Sequence, residues 1–113
     1  MEYIKNITHE SIVNLCDLVE TKEGQIVSRT LAQNGAVSLT LFAFYKGEEI
    51  STHKSEGDAM VTVIEGSGKF TIDGKEYILN KGETIVMPAG KPHAVYGVEN
   101  FKMLLTVVFP IKK

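Results

Sequence analysis

The sequence predicts an all-β sandwich or barrel, on two observations. From about residue 25 to 110, short β-branched and apolar runs are separated by glycine-containing turns at even spacing. Within that stretch no run of apolar residues recurs at the helical period. The predicted strands cover residues 25–31, 37–45, 60–65, 69–72, 75–79, 84–87, 93–96 and 101–109. Residues 1–24 are expected to form an arm or short helix that packs on a barrel domain of residues 25–113.

The turns support each element in order. Asp73-Gly74 separates two strand runs, and such a pair accepts the positive φ angles of a two-residue hairpin. Gly66-Ser67-Gly68 and Asn80-Lys81-Gly82 supply further turns, while Pro88 and Pro92, which lack the N–H of a central ladder, bracket a loop. In the last strand Phe101, Met103, Leu105, Val107 and Phe109 share one face, and Leu104, Thr106 and Val108 the other. Residues 9–20 stay ambiguous between a short helix and an arm, because Ile12, Leu15, Cys16 and Val19 match a helical stripe barely two turns long.

Composition bounds the function. A chain of 113 residues accommodates one core. Twelve basic against fourteen acidic residues give a formal charge of −2, with no basic stripe to follow a phosphate backbone, so nucleic acid is not an expected partner. The single cysteine, Cys16, has the apolar neighbours Leu15 and Leu18 and reads as a small core residue in a reducing, cytoplasmic setting. The opening residues lack the order of a secretory signal, and Lys102 and Pro110 interrupt the most apolar stretch, so neither export nor a membrane partner is expected.

Two stretches carry chemistry. The first runs from Gly47 through His53, Ser55 and Asp58 to Gly66; the second runs from Gly82 through Pro88, Gly90 and His93 to Gly97. They resemble the two motifs of the cupin superfamily, Gly-x5-His-x-His-x(3,4)-Glu-x6-Gly and Gly-x5-Pro-x-Gly-x2-His-x3-Asn, with Gly47, His53 and Gly66 on the first and Gly82, Pro88, Gly90 and His93 on the second. Gly97 replaces the asparagine. The resemblance covers roughly residues 36–109. It implies a jelly-roll-like antiparallel β-barrel, the double-stranded β-helix of cupins, often dimeric, with His53 and His93 close together in the lumen as metal ligands. The family's other two ligand positions hold Ser55 and Ala59 here.

Two imidazoles can begin a site for a divalent transition metal, Zn, Fe, Ni, Cu or Mn, but a durable site usually takes three protein ligands or more. Asp58 is the candidate third ligand. Its odd separation from His53 turns it to the opposite face of a regular strand, unless a bulge at Gly57 swings it inward. Ser55 has the right parity and suits a substrate hydroxyl or water. Met87 and Met103 are candidate lumen lining that doubles as core filler, and Tyr96, like Tyr45, is a candidate hydroxyl near the pocket mouth. His9 reads as a solvated residue, Arg29 as an exposed strand arginine, and Glu48-Glu49 as part of a solvated loop. The first functional reading is a metal-dependent small-molecule protein with a small sugar-derived or organic-acid ligand. The second is a metal-free binding or sensing module, and the third is an assembly unit that buries a face in a homodimer.

Overall fold

The structure, a computed structural model, describes residues 2–111; Met1 and the last two residues of the expected barrel domain, 112 and 113, lie outside the described residues. Nine strands follow one another: β1 Ile26–Gln33, β2 Val37–Phe44, β3 Glu49–His53, β4 Asp58–Glu65, β5 Ser67–Ile72, β6 Lys75–Asn80, β7 Thr84–Met87, β8 His93–Gly97 and β9 Phe101–Val108. They form two antiparallel sheets packed face to face, in the order β1-β2-β9-β4-β7 and β3-β8-β5-β6. The all-β prediction holds, and the eight predicted strands are present with ends shifted by one or two residues.

The Asp73-Gly74 turn shows why the local chemistry was readable. Both residues have positive φ, 50° and 82°, and Ile72 pairs with Lys75 across them, which is the two-residue primed turn that matches strand twist. The ninth strand, β3, is the correction: residues 48 and 49 were expected in a solvated loop, yet Glu49 pairs with Tyr96 at the sheet edge. An edge strand with a polar, exposed sequence carries no apolar alternation to reveal it. Only Ile50 of β3 is turned toward the interior on the Glu49 side of His53.

Residues 9–20 contain a single 3-10 turn, Leu15–Leu18, capped by the Asn14 side chain accepting the Cys16 N–H at 3.1 Å. So short a helix gains little from its own hydrogen bonds, and the segment instead lies as an arm on the outside of the five-stranded sheet. There Leu15, Leu18 and Val19 cover Leu41, Ala43 and Leu104. Lys102, nearly buried, ties the arm down by donating to the Cys16 carbonyl at 2.7 Å, and its ammonium lies 3.6 Å from Glu65. Cys16 is half-buried in this seam, its thiol donating to the Ile64 carbonyl at 3.4 Å. No helix among the described residues is long and apolar enough to cross a membrane.

Inside the sandwich the two ends differ. At one end Phe44 stacks on Phe101 at 4.6 Å, and Phe70 meets Phe101 edge-on at 6.2 Å, all three fully buried. Gly68 lies beneath the Phe101 ring, where an added Cβ would come within 2.7 Å of it. At the opposite end the inward residues are smaller or more pliant, among them Ala59, Met87 and Val107, and the interior opens into a cavity.

The aromatic end therefore sets a packing limit that mutation can read. Gly68→Ala is expected to destabilise the protein by about 1–3 kcal/mol through overpacking, measured as a drop in the urea midpoint with an unchanged slope. An unaltered midpoint would show that the ring moves aside freely.

Candidate metal and ligand site

His53 closes β3 and His93 opens β8, and the two are direct partners across the strand pair. Two β3 residues, Ile50 and His53, face inward although three positions separate them, because β3 has one more residue than β8 between the pairs Ile50–Val95 and His53–His93. A bulge of this kind re-aims the side chain that follows it. His93 precedes Val95 on the inner face of β8, and both are buried.

The two imidazoles meet edge to face, with ring centres 4.3 Å apart. His53 Nδ1 lies 2.9 Å from the Ser51 carbonyl, and His93 Nδ1 lies 3.3 Å from the Lys91 carbonyl. Carbonyl oxygens only accept, so these contacts are satisfied when each ring carries its proton on Nδ1. In that tautomer the two Nε2 lone pairs face one another at 3.1 Å and can both ligate one metal ion; with the proton of one ring on Nε2 instead, that ring donates to the other.

Burial pushes the His93 pKa below its ordinary value of 6.5, the nearby His53 pushes in the same direction, and the Lys91 carbonyl opposes them more weakly. The buried ring is thus held neutral, the state in which an imidazole ligates a metal.

The cavity at this end has a volume of about 190 Å³. His53, His93, Ser55 and Lys54 contribute its polar wall, and Met87, Met103 and Val95 are among its apolar lining. Ser55 ties two loops at the mouth: its Oγ accepts the Gly57 N–H at 3.3 Å and its carbonyl accepts the Gly90 N–H at 2.9 Å. A larger concavity of about 810 Å³ lies outside the sandwich between the arm and β4, wide open and lined by residues such as Ile12, Leu15 and Thr62. It holds no histidine or carboxylate, so the chemistry gathers in the smaller, more enclosed space.

Of the residues singled out in the sequence, the structure brings His53, His93, Ser55, Met87 and Met103 to one cavity. It does not bring Asp58 or Tyr96 there. Asp58 begins β4 on the same outward face as Met60, and its carboxylate accepts the Ala89 N–H at 2.8 Å. The bend at Glu56 and Gly57 does not swing Asp58 inward; Gly57 itself packs against the β9 backbone, where an added Cβ would lie 2.3 Å from the Val108 carbonyl oxygen. Tyr96 lies one residue beyond the inward Val95 and therefore points outward, its ring 5.2 Å from the Lys69 ammonium. Among the described residues no third histidine, cysteine or acid joins the pair. His9 is exposed, its ring 2.7 Å from the Ile4 carbonyl, and Arg29 holds the arm by donating to the Asn6 carbonyl at 2.9 Å. Lys54 escaped the sequence reading because strand alternation turns the neighbour of an inward histidine away; only the end of β3 at His53 lets it line the mouth.

The glycines of the second motif have structural reasons as well. Gly97, where the cupin pattern has asparagine, is encircled by the carbonyl oxygens of Tyr45, Glu48 and Glu99, and a Cβ there would lie 3.1 Å from the first. The cupin domain family model matches residues 40–109, a span that holds both motifs and eight of the nine strands in whole or part. The chain belongs to the cupin family. A conserved protein of unknown function from Streptococcus pyogenes is 48% identical to this cupin, with a TM-score of 0.97 over 99% of this chain and 98% of that one. A cupin superfamily protein from Desulfitobacterium hafniense is 33% identical, with a TM-score of 0.90 over 95% and 98%. The HTH-type transcriptional regulator PuuR of Escherichia coli is 33% identical over 91 residues, which are 74% of this cupin but 47% of the regulator. The cupin thus spans about half of that regulator's length.

The lowered pKa of His93 has a pH consequence. Below 6.5 an unfolded chain takes up a proton that the folded ring still refuses, so the unfolded state binds more protons and stability falls as pH drops through this window. For metal-free protein, the stability difference between wild type and His93→Gln is expected to shift against wild type from pH 7 to pH 5, followed by urea unfolding. A pH-independent difference would remove the burial argument.

Proposed function

We propose that this cupin binds a divalent transition metal, Zn, Fe, Ni, Cu or Mn, through His53 and His93, and holds a small sugar-derived or organic-acid ligand in the adjoining cavity. One observation carries the reading: both Nδ1 atoms face carbonyls, so both Nε2 lone pairs converge on the same space. Their 3.1 Å separation suits adjacent positions on an ion with metal–nitrogen bonds of about 2.0–2.1 Å. The donor set fits, as the beginning of a site. With two protein ligands the remaining positions fall to water or to oxygens of a bound ligand, and the ion supplies Lewis acidity there. His93 orients the site from within the wall, while His53 stands exposed at the mouth and can follow an incoming ligand.

The competing reading is a metal-free binding or sensing module, in which the same pocket takes a ligand and one histidine donates its Nε2–H to the other. The similarity to a transcriptional regulator favours it specifically. Either reading accommodates a homodimer. The outer face of the five-stranded sheet leaves Met60, Val86 and Val108 42%, 49% and 59% exposed beyond the area covered by the arm. Thr62 and Thr84 lie next to Met60 and Val86, their hydroxyls bonded at 2.9 Å, and Asp58 borders Val108; a largely apolar patch of this kind complements a second copy of itself. A cytoplasmic location goes with the unpaired thiol of Cys16.

Metal analysis by mass spectrometry on protein made without a polyhistidine tag is the deciding experiment. Near one equivalent is expected in wild type and in Asp58→Asn, and almost none in the His53→Ala/His93→Ala double variant. No retention by wild type after reconstitution with each metal would sink the metal reading and leave the binding module. Light scattering is expected to give the mass of a dimer, with Val86→Lys shifting it toward monomer; a monomeric wild type would rule out the outer face as an interface.

A further inference from the structure

The polar and apolar parts of the cavity wall are segregated, and this separates the two ligand classes considered so far. Met87, Met103, Leu105, Val95 and Val107 enclose the inner part. A hydroxylated sugar ring placed among them would leave its hydroxyls without partners, a loss that transfer into an apolar setting does not repay. The cavity's volume of about 190 Å³ is slightly more than an apolar cavity of about 150 Å³ that holds benzene, so the enclosed body is a single ring or a short branched chain.

All the polar atoms stand at one end, and their character is specific. The charged side chain in the wall is Lys54, and no carboxylate lines the cavity. Lys54 is exposed at the mouth next to His53 and forms no ion pair among the described residues. Ser55 has its oxygen engaged by the Gly57 N–H, which leaves its hydroxyl proton to donate. An ammonium and a hydroxyl donor at the open end of an apolar chamber complement a carboxylate carried on a hydrocarbon body.

We infer that the cavity takes short branched-chain or aromatic monocarboxylates, with the hydrocarbon inside and the carboxylate on Lys54, which acts as the specificity-determining residue. The inference rests on the cavity being the ligand site, and it holds with or without a metal between the histidines.

The test is isothermal titration of the full chain, metal-stripped and metal-reconstituted, with 3-methylbutanoate and benzoate, their neutral amides, and gluconate as the hydroxylated acid. Both monocarboxylates are expected to bind at least roughly tenfold more tightly than their amides, a margin typical of one charged contact at a partly desolvated site. Gluconate is expected to bind more weakly than either. Lys54→Gln should abolish the preference for acid over amide while leaving the affinity for the amides and the thermal unfolding midpoint unchanged. In spectra of protein labelled on methionine methyls, the acids should shift the Met87 and Met103 signals, assigned by Met→Leu variants. Equal affinity for acid and amide, an acid preference that survives Lys54→Gln, tighter binding of gluconate, unmoved methionine signals or no saturable binding of either acid would each overturn the inference. Because the stripped protein is titrated too, loss of the metal reading would appear in the metal analysis and leave the Lys54 result standing on its own.

Discussion

The contact of the Phe101 ring with Gly68 governs how the interior of this cupin is divided. Three stacked and edge-on phenyl rings fill one end of the sandwich so completely that the strand beneath them has to give up its side chain. Close packing of this kind leaves almost no adjustable volume, so the empty space that a ligand needs can exist only at the far end. There two strands change character along their length: β4 passes from Val63 to Ala59 and β9 from Phe101 to Val107. The fall in side-chain size along these two strands gives the sandwich a solid base and a receptive mouth.

The losses from the cupin ligand set take on a meaning in that setting. Where the motif has a glutamate this chain has Ala59, which is buried at 2% exposure and lines the cavity. An alanine at that position leaves volume in the cavity and puts no carboxylate in its wall. Ser55 stands where the motif has a histidine, and its small hydroxyl accepts the Gly57 N–H within its own loop. Both replacements leave the cavity wall without a carboxylate, and Lys54 is its charged side chain.

Much of the fold was legible because turn chemistry and strand period act locally. Asp73-Gly74 announces its hairpin, and the alternation from Phe101 to Phe109 assigns faces without any knowledge of the partner strands. The pairing of His53 with His93 was legible from motif spacing, although nothing local links residues forty positions apart. The failures have equally physical causes. β3 is an exposed edge strand whose polar sequence carries no pattern, and the arm follows the surface of a sheet that only tertiary packing creates. Tyr96, read as a hydroxyl near the pocket mouth, points outward because three positions separate it from the inward His93 in a regular strand. The outward parity of Asp58 was visible from counting alone, but the Ala89 N–H that occupies its carboxylate comes from a loop thirty-one residues away.

The extra residue in β3 has a consequence for how such a site arises and disappears. His53 faces the lumen despite its odd separation from Ile50 because β3 carries one residue more than β8 across this stretch. Loss of a single codon between the two would leave the histidine two positions from Ile50 in a regular strand, still on the lumen face and still opposite His93. Within a lineage of such barrels, therefore, the histidine pair tolerates a one-residue gap in this short strand, and only replacement of a histidine itself would mark descendants that kept the chamber while abandoning its chemistry.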